Sequence, residues 1–337
     1  MTAKTPKGAS PRRLPRLLRG AALLLGLLAA GHALAWTLIT RKMEARFLGW
    51  AEARRAQGWE VAHGPPRRGG WPFAATLELP GWRLALPQGP VLQGEALRLS
   101  LSPGHWDRLL LCLEGAQNLR IGTAELPFRA HALVASLPLL GQGDVPLRGE
   151  ALQLGPPSGA VSIARLEGTL EGVEAARRLR LALRGIALPV ATPMGPEIAA
   201  ATLDAALNGP VPPPAPLAQR AAAWRDAGGA LELRGLTLQW GGATASLAAT
   251  LGLDAALQPA GSGTLRLAGA EHVLDALVQA GVVPQRNAAL ARGLLPLMQR
   301  PDPAGGPPVL EVPVALENRG LSVARLNLGR VPAVEWE

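Results

Sequence analysis

Apolar residues follow three successive rhythms along this chain. From Gly20 to Ile39 they are nearly continuous (GAALLLGLLAAGHALAWTLI). A bilayer core is about 30 Å thick, and a helix needs about 20 apolar residues to cross it, so the run predicts a transmembrane helix over 20–39. Its one ionisable group is His32, and Trp36 lies near its outer end, where an indole suits the headgroup region. Beyond it Trp36, Met43, Phe47, Trp50 and Ala51 recur at roughly helical spacing among Arg41, Lys42, Arg46, Arg54 and Arg55. That stripe predicts a stalk helix over 40–58, with Gly58 as its cap.

From Trp59 onward the period falls to two. Phe73, Ala75, Leu77 and Leu79 alternate with Ala74, Thr76 and Glu78; Trp82, Leu84 and Leu86 with Arg83 and Ala85; Leu97, Leu99 and Leu101 with Arg98 and Ser100. One apolar and one polar face is the mark of an antiparallel sheet covered on one side. Further runs lie at about 119–123, 128–135, 161–170, 178–188, 197–206, 230–240, 244–253, 263–268, 309–316 and 321–328, separated by Gly, Pro and Asn. They are rich in Leu and Ala, so pattern and not β-propensity carries the reading. Leu92-Gln-Gly94-Glu-Ala-Leu97 is echoed at Leu147–Leu152, and more loosely at Leu183–Leu188 and Leu233–Leu238. In each copy a Gly precedes an alternating strand, which reads as a bulge or kink that curves the sheet.

Three helices interrupt the later strands. Pro216–Ala227 ends at Gly228; Glu271–Ala280 carries Val273, Leu274, Leu277 and Val278 on one face; Asn287–Met298 has Asn287 as N-cap and Pro296 as a stop or kink. The fold class predicted is mainly β: a curved antiparallel sheet, or an open barrel or sandwich, with a few short helices, preceded by the transmembrane and stalk helix. The divisions are a basic, disordered cytoplasmic tail 1–19, the spanning helix 20–39, the stalk 40–58, a first β-rich half 59–209, a Pro-rich connection 210–216, and a second β-rich half with helices 217–337.

Charge adds a direction. Thirteen basic and three acidic residues lie up to Gly70, a net +10, and the remainder is −1. Lys4, Lys7, Arg12, Arg13, Arg16 and Arg19 precede the apolar run with no acid among them, so the positive-inside rule keeps the N-terminus cytoplasmic and exports the rest. A cleaved signal peptide is the competing reading, since Ala33-Leu34-Ala35 fits an A-x-A site; the apolar run continues through Trp36, Leu38 and Ile39, which favours an anchor. The near-neutral body argues against a nucleic-acid partner. Cys112 is the sole cysteine, so no intramolecular disulfide forms, and His32, His63, His105, His131 and His272 lack zinc spacings.

The anchor, the stalk ending at Gly58, the segment Gly69-Gly70-Trp71-Pro72-Phe73 that opens a strand, Gly261–Leu267 before a helix, and the closing Leu316–Leu326 strand pair together resemble the bacterial domain-of-unknown-function family 2125 over about residues 20–335. More distantly the chain is similar to AsmA-like envelope proteins. The first resemblance implies no established activity; the second suggests lipid handling by analogy.

No Walker loop, dinucleotide fingerprint or nucleophile elbow occurs, and no cofactor or metal is expected. His105-Trp106-Asp107-Arg108 is the densest polar cluster of the body and follows Pro103-Gly104, as a surface turn would. Trp71, Phe73, Trp82, Trp106 and Trp240 are candidates for a ligand or partner surface, against the plainer reading of core and sheet-edge packing. The expectation is a non-enzymatic, single-pass inner-membrane protein with a periplasmic β-body that binds lipid or apolar chains on a concave face. A scaffold in a cell-envelope assembly and an envelope hydrolase are the alternatives; the partners expected are the membrane, and lipid or envelope proteins.

Overall fold

A computed structural model describes residues 14–337 apart from 88, 140–142, 174–175, 211, 213–214, 303–304, 325 and 337. The span and the stalk form one helix, α1 (Leu14–Ala56), about 65 Å long at 1.5 Å per residue. It starts inside the segment expected to be a disordered tail: Leu14–Arg19 are helical. Gly58 at φ +83° ends it, its N–H donating to Arg55 O.

The body is one large antiparallel sheet that does not close into a barrel. Its first strands are β1 (Glu60–Ala62), β2 (Arg67–Gly69), β3 (Ala75–Ala85), β4 (Val91–Leu101), β5 (Arg108–Ile121), β6 (Ala124–Arg129), β7 (Ala132–Pro138), β8 (Val145–Leu154), β9 (Val161–Val173), β10 (Ala176–Ala187) and β11 (Glu197–Asn208). Helix α2 (Leu217–Asp226) precedes β12 (Ala230–Trp240), β13 (Ala243–Leu253) and β14 (Pro259–Ala268). Helices α3 (Ala270–Gln279) and α4 (Gln285–Met298) precede β15 (Gln299–Arg300), β16 (Val309–Glu317), β17 (Gly320–Val323) and β18 (Leu326–Arg330). Both β1 and β2 pair with the outer edge of β3; from β3 to β14 the sheet is a meander, and β14 then pairs with β16 across α3, α4 and β15. Here β6 and β7 share one place between β5 and β8. The sheet continues across the Pro-rich connection, because β11 pairs directly with β12.

A transverse crease crosses the first half of the sheet. Gly81 (φ +56°) in β3 lies opposite Glu95, where the β4–β5 register shifts around Gly115 (φ +78°). The line continues through the break between β6 and β7 to Ala151 (φ +48°) in β8, across β9 at Ala164, to Gly185 (φ +61°) in β10. At the crease the apolar spacing changes from two to three: Leu79 to Trp82, Ile163 to Leu166, Leu183 to Ile186. A kinked residue reverses which side the next side chain takes, so apolar residues on both sides of the crease point to the same face. Two clusters follow on that face, one around Met43, Leu77, Leu79, Trp82 and Leu99, the other around Leu152, Ile163 and Ile186.

The Gly echo is thus partly placed: Gly94 and Gly235 flank register shifts and Gly185 is at the crease, whereas Gly149 is regularly paired and its kink falls two residues on, at Ala151. Other boundaries need correction. The runs 119–123, 128–135 and 321–328 each cross a turn or break, and the whole of β5 before residue 119 was not anticipated, because Leu109-Leu110-Leu111-Cys112-Leu113 does not alternate. Asn287 is not an N-cap: α4 begins at Gln285 behind Pro284 with no side-chain cap. Pro296 does not stop that helix, which runs two residues further to Met298.

Candidate apolar groove and aromatic edge

The outward stripe of α1 makes the first wall of the site. Thr40, Met43 and Ala51 are buried against the body, with Ala33, Trp36, Phe47 and Arg54 half-buried on the same line. Phe47 and Trp50 reach past it over an apolar cavity of about 560 Å³. Its floor is the sheet: Leu79 and Trp82 from β3, Leu92 and Leu97 from β4, Leu111 and Leu113 from β5, Leu133 and Ala135 from β7, Leu147 from β8, Leu166 from β9, and Leu179 and Leu181 from β10. In a flat sheet β3 and β10 would be about 29 Å apart, six spacings of about 4.8 Å. For both to line one cavity the sheet must curl, so this face is concave.

The groove offers a ligand area and almost no polarity. Of the polar side chains at its wall, Arg83 is already bound to Glu60 (2.8 Å) and Gln93 (2.5 Å). His63 uses Nδ1 on Gly64 O at 2.8 Å and packs edge-on to Phe47. Its Nε2 and the Trp82 Nε1 lack partners but are enclosed by protein, so neither reaches into the cavity. Cavities of this size match those that hold small ligands.

A second feature lies at one end of β3. The turn Gly70–Ala74 folds against α1, where His32 Nε2 donates to Pro72 O (2.7 Å) and Trp36 Nε1 donates to Ala74 O (2.9 Å). Since a carbonyl only accepts, the His32 proton sits on Nε2. Trp71 and Phe73 project outward from this turn, 57% and 82% exposed. Leu101, the last residue of β4, pairs with Ala75, so the β4–β5 turn carrying Trp106 (52% exposed) opens on the same edge. Glu44 of α1 binds Arg68 of β2 at 2.5 Å, a little further along the helix.

The five aromatic candidates therefore divide. Trp71, Phe73 and Trp106 share the edge beside α1, and Trp82 is buried in the groove wall. Trp240 is remote, donating to Gly195 O (3.1 Å) and lining a separate apolar cavity with Val273, Ala276 and Leu277 of α3. Sequence reading did not single out the leucines of the groove floor. The spacing of three described above marks only Leu79 and Leu166 among them, together with Trp82.

Polar clusters give little chemistry. His131 shares a shallow polar depression with Glu95, Arg129 and Gln153, and His272 lies beside Gly242. Among the described residues no three His, Cys, Asp or Glu come together to hold a metal ion. Burial, then the Glu114 carboxylate, holds the Cys112 thiol above its ordinary range.

A family model described as "Uncharacterized protein conserved in bacteria (DUF2125)" matches residues 36–332. No curated protein and no solved structure matches the chain, so a likeness to AsmA-like proteins is not shown.

Proposed function

We propose that this chain, which belongs to the DUF2125 family of uncharacterized bacterial proteins, is a non-enzymatic, single-pass inner-membrane protein that holds an apolar chain, such as a lipid acyl tail, in a periplasmic β-groove. The observation that carries the reading is the groove itself: leucines from seven strands and two aromatics of α1 around about 560 Å³, with every polar wall group engaged or enclosed. Each methylene taken from water into such a surface gains about 0.8 kcal/mol, with no directional contact needed. The basic segment before the apolar run supports export of the body.

The test is mass spectrometry of lipids retained by the full chain after purification in mild detergent. Acyl-bearing lipid should be retained by the parent protein and lost from Leu133→Trp, which fills the groove, while circular dichroism of the two stays the same. Equal lipid content in both proteins would defeat the groove assignment.

One observation favours a scaffold as the second reading. Helix α4 exposes Leu290 (71%), Leu294 (55%), Leu297 (82%) and Met298 (54%), an apolar stripe facing outward from the second half.

A further inference from the structure

We propose that the Gly70–Ala74 turn and the adjoining Trp106 turn are a membrane-inserted edge, seating the β-body in the interface of the bilayer that α1 crosses. The inference rests on the anchoring part of the reading above and not on its groove.

Length sets the depth. The apolar run Gly20–Ile39 is 20 residues, or about 30 Å of helix, which is the thickness of the hydrocarbon core with nothing to spare. Yet the body meets α1 well inside that run: Trp36 binds Ala74 O and His32 binds Pro72 O. His32 lies seven residues before Ile39, about 10 Å down the helix axis. If the membrane ended below His32, the twelve apolar residues Gly20–Gly31 would span only about 18 Å. The alternative of sliding the helix would draw Arg16 and Arg19 into the core. The turn is therefore below the headgroups, within the about 5–10 Å that interfacial segments reach.

The turn is built for that place. Polar backbone left unpaired in a bilayer is costly, and here it is largely paired. Phe73 N–H and Ala74 N–H both donate to Gly70 O (3.1 and 2.8 Å), Pro72 has no N–H, and the Pro72 and Ala74 carbonyls accept from α1. What points outward from the Gly70–Ala74 turn is Trp71 and Phe73; on the neighbouring turn Trp106 is exposed between His105 and Asp107, which set that turn at the shallower, headgroup side of an interfacial belt. Charge begins just above: Arg41 and Lys42 follow Ile39, and Arg67 and Arg68 of β2 flank the same level, where phosphates lie. The lipid surface is thus met in the order aromatic, then basic, from inside outward.

The experiment uses the full chain in phosphatidylcholine–phosphatidylglycerol vesicles, with Cys112→Ser as background and one new cysteine at a time carrying a polarity-sensitive fluorophore. Phe73→Cys and Trp106→Cys test the edge; Leu27→Cys reports on the anchor; Glu125→Cys, exposed at the opposite ends of the strands, is the water control. Spin-labelled lipids should remove most of the signal at 73 and 106 and at 27, and leave 125 unchanged. Signal at 73 as resistant as at 125, with 27 quenched, would overturn the inserted edge and leave the anchor standing. Resistance at 27 would overturn both.

Discussion

Asp204 shows how single ion pairs stitch this sheet. Arg178 of β10 reaches its carboxylate with two hydrogen bonds, Nε to Oδ1 at 2.7 Å and Nη2 to Oδ2 at 2.5 Å. That contact, helped by the charges of Arg234 and Arg180, holds the Asp204 carboxyl below its ordinary value. A carboxyl lowered by folding contributes stability above its unfolded value, and the contribution is lost as pH falls through the lowered one. Asp204→Asn should therefore lower the melting temperature modestly at neutral pH. It should also flatten the loss of stability as pH falls below the ordinary carboxyl range, where a lowered group takes up its proton. Thermal melts across that range check both signs. The pair is solvated, its side chains about a third exposed, so the effect is small.

At the scale of elements, the crease decides how the strands present their apolar faces. Gly185 stands at φ +61°, and a Cβ there would meet the Ala164 Cβ at 2.9 Å. An L side chain in that backbone region costs about 1–2 kcal/mol, so Gly185→Ala should lose at least that much in a urea melt. Gly172→Ala in β9, with open space and no positive φ, should not destabilise. The crease also separates what the sequence disclosed from what it hid. Strict alternation marked the half of β3 before Gly81, and the echo of Gly94 and Gly185 marked kinks. Nothing local marked Ala151, because an alanine at φ +48° is held there by the neighbouring strands and not by its own preference. For β5 the unbroken Leu109–Leu113 run hid the period, since Leu110 and Cys112 on the outer face are half-buried too. In α1 the stripe Trp36–Met43–Phe47 was legible, and spacing alone left two partners open, the β-body or the membrane surface; Met43 packs with Leu77, Leu79 and Trp82 of the body. The aromatic edge was visible only as residue types; its grouping beside α1 needed the hydrogen bonds from His32 and Trp36.

For the molecule as a whole, the groove belongs to the first half: its lining runs from Phe47 to Leu181. A chain ending after Asn208, at the close of β11, keeps every groove strand and the β10–β11 pairing that borders it. Such a truncation should stay membrane-bound and show a protease-resistant β-core that includes β3 to β10. A uniform loss of protection in limited proteolysis would mean that the two halves hold each other up.

The meander has a consequence for biogenesis. From β3 to β14 each strand finds its partner in a close sequence neighbour; only β14 waits for a more distant one, β16, beyond α3 and α4. Pairings between near neighbours close short loops and form early. With α1 leading, the aromatic edge and β3 are synthesised first, and each later hairpin is laid on an edge already ordered. Growth is thus templated from the α1 side, and among the described pairings β18 joins only β17, so the strand made last is the margin at which another chain could add.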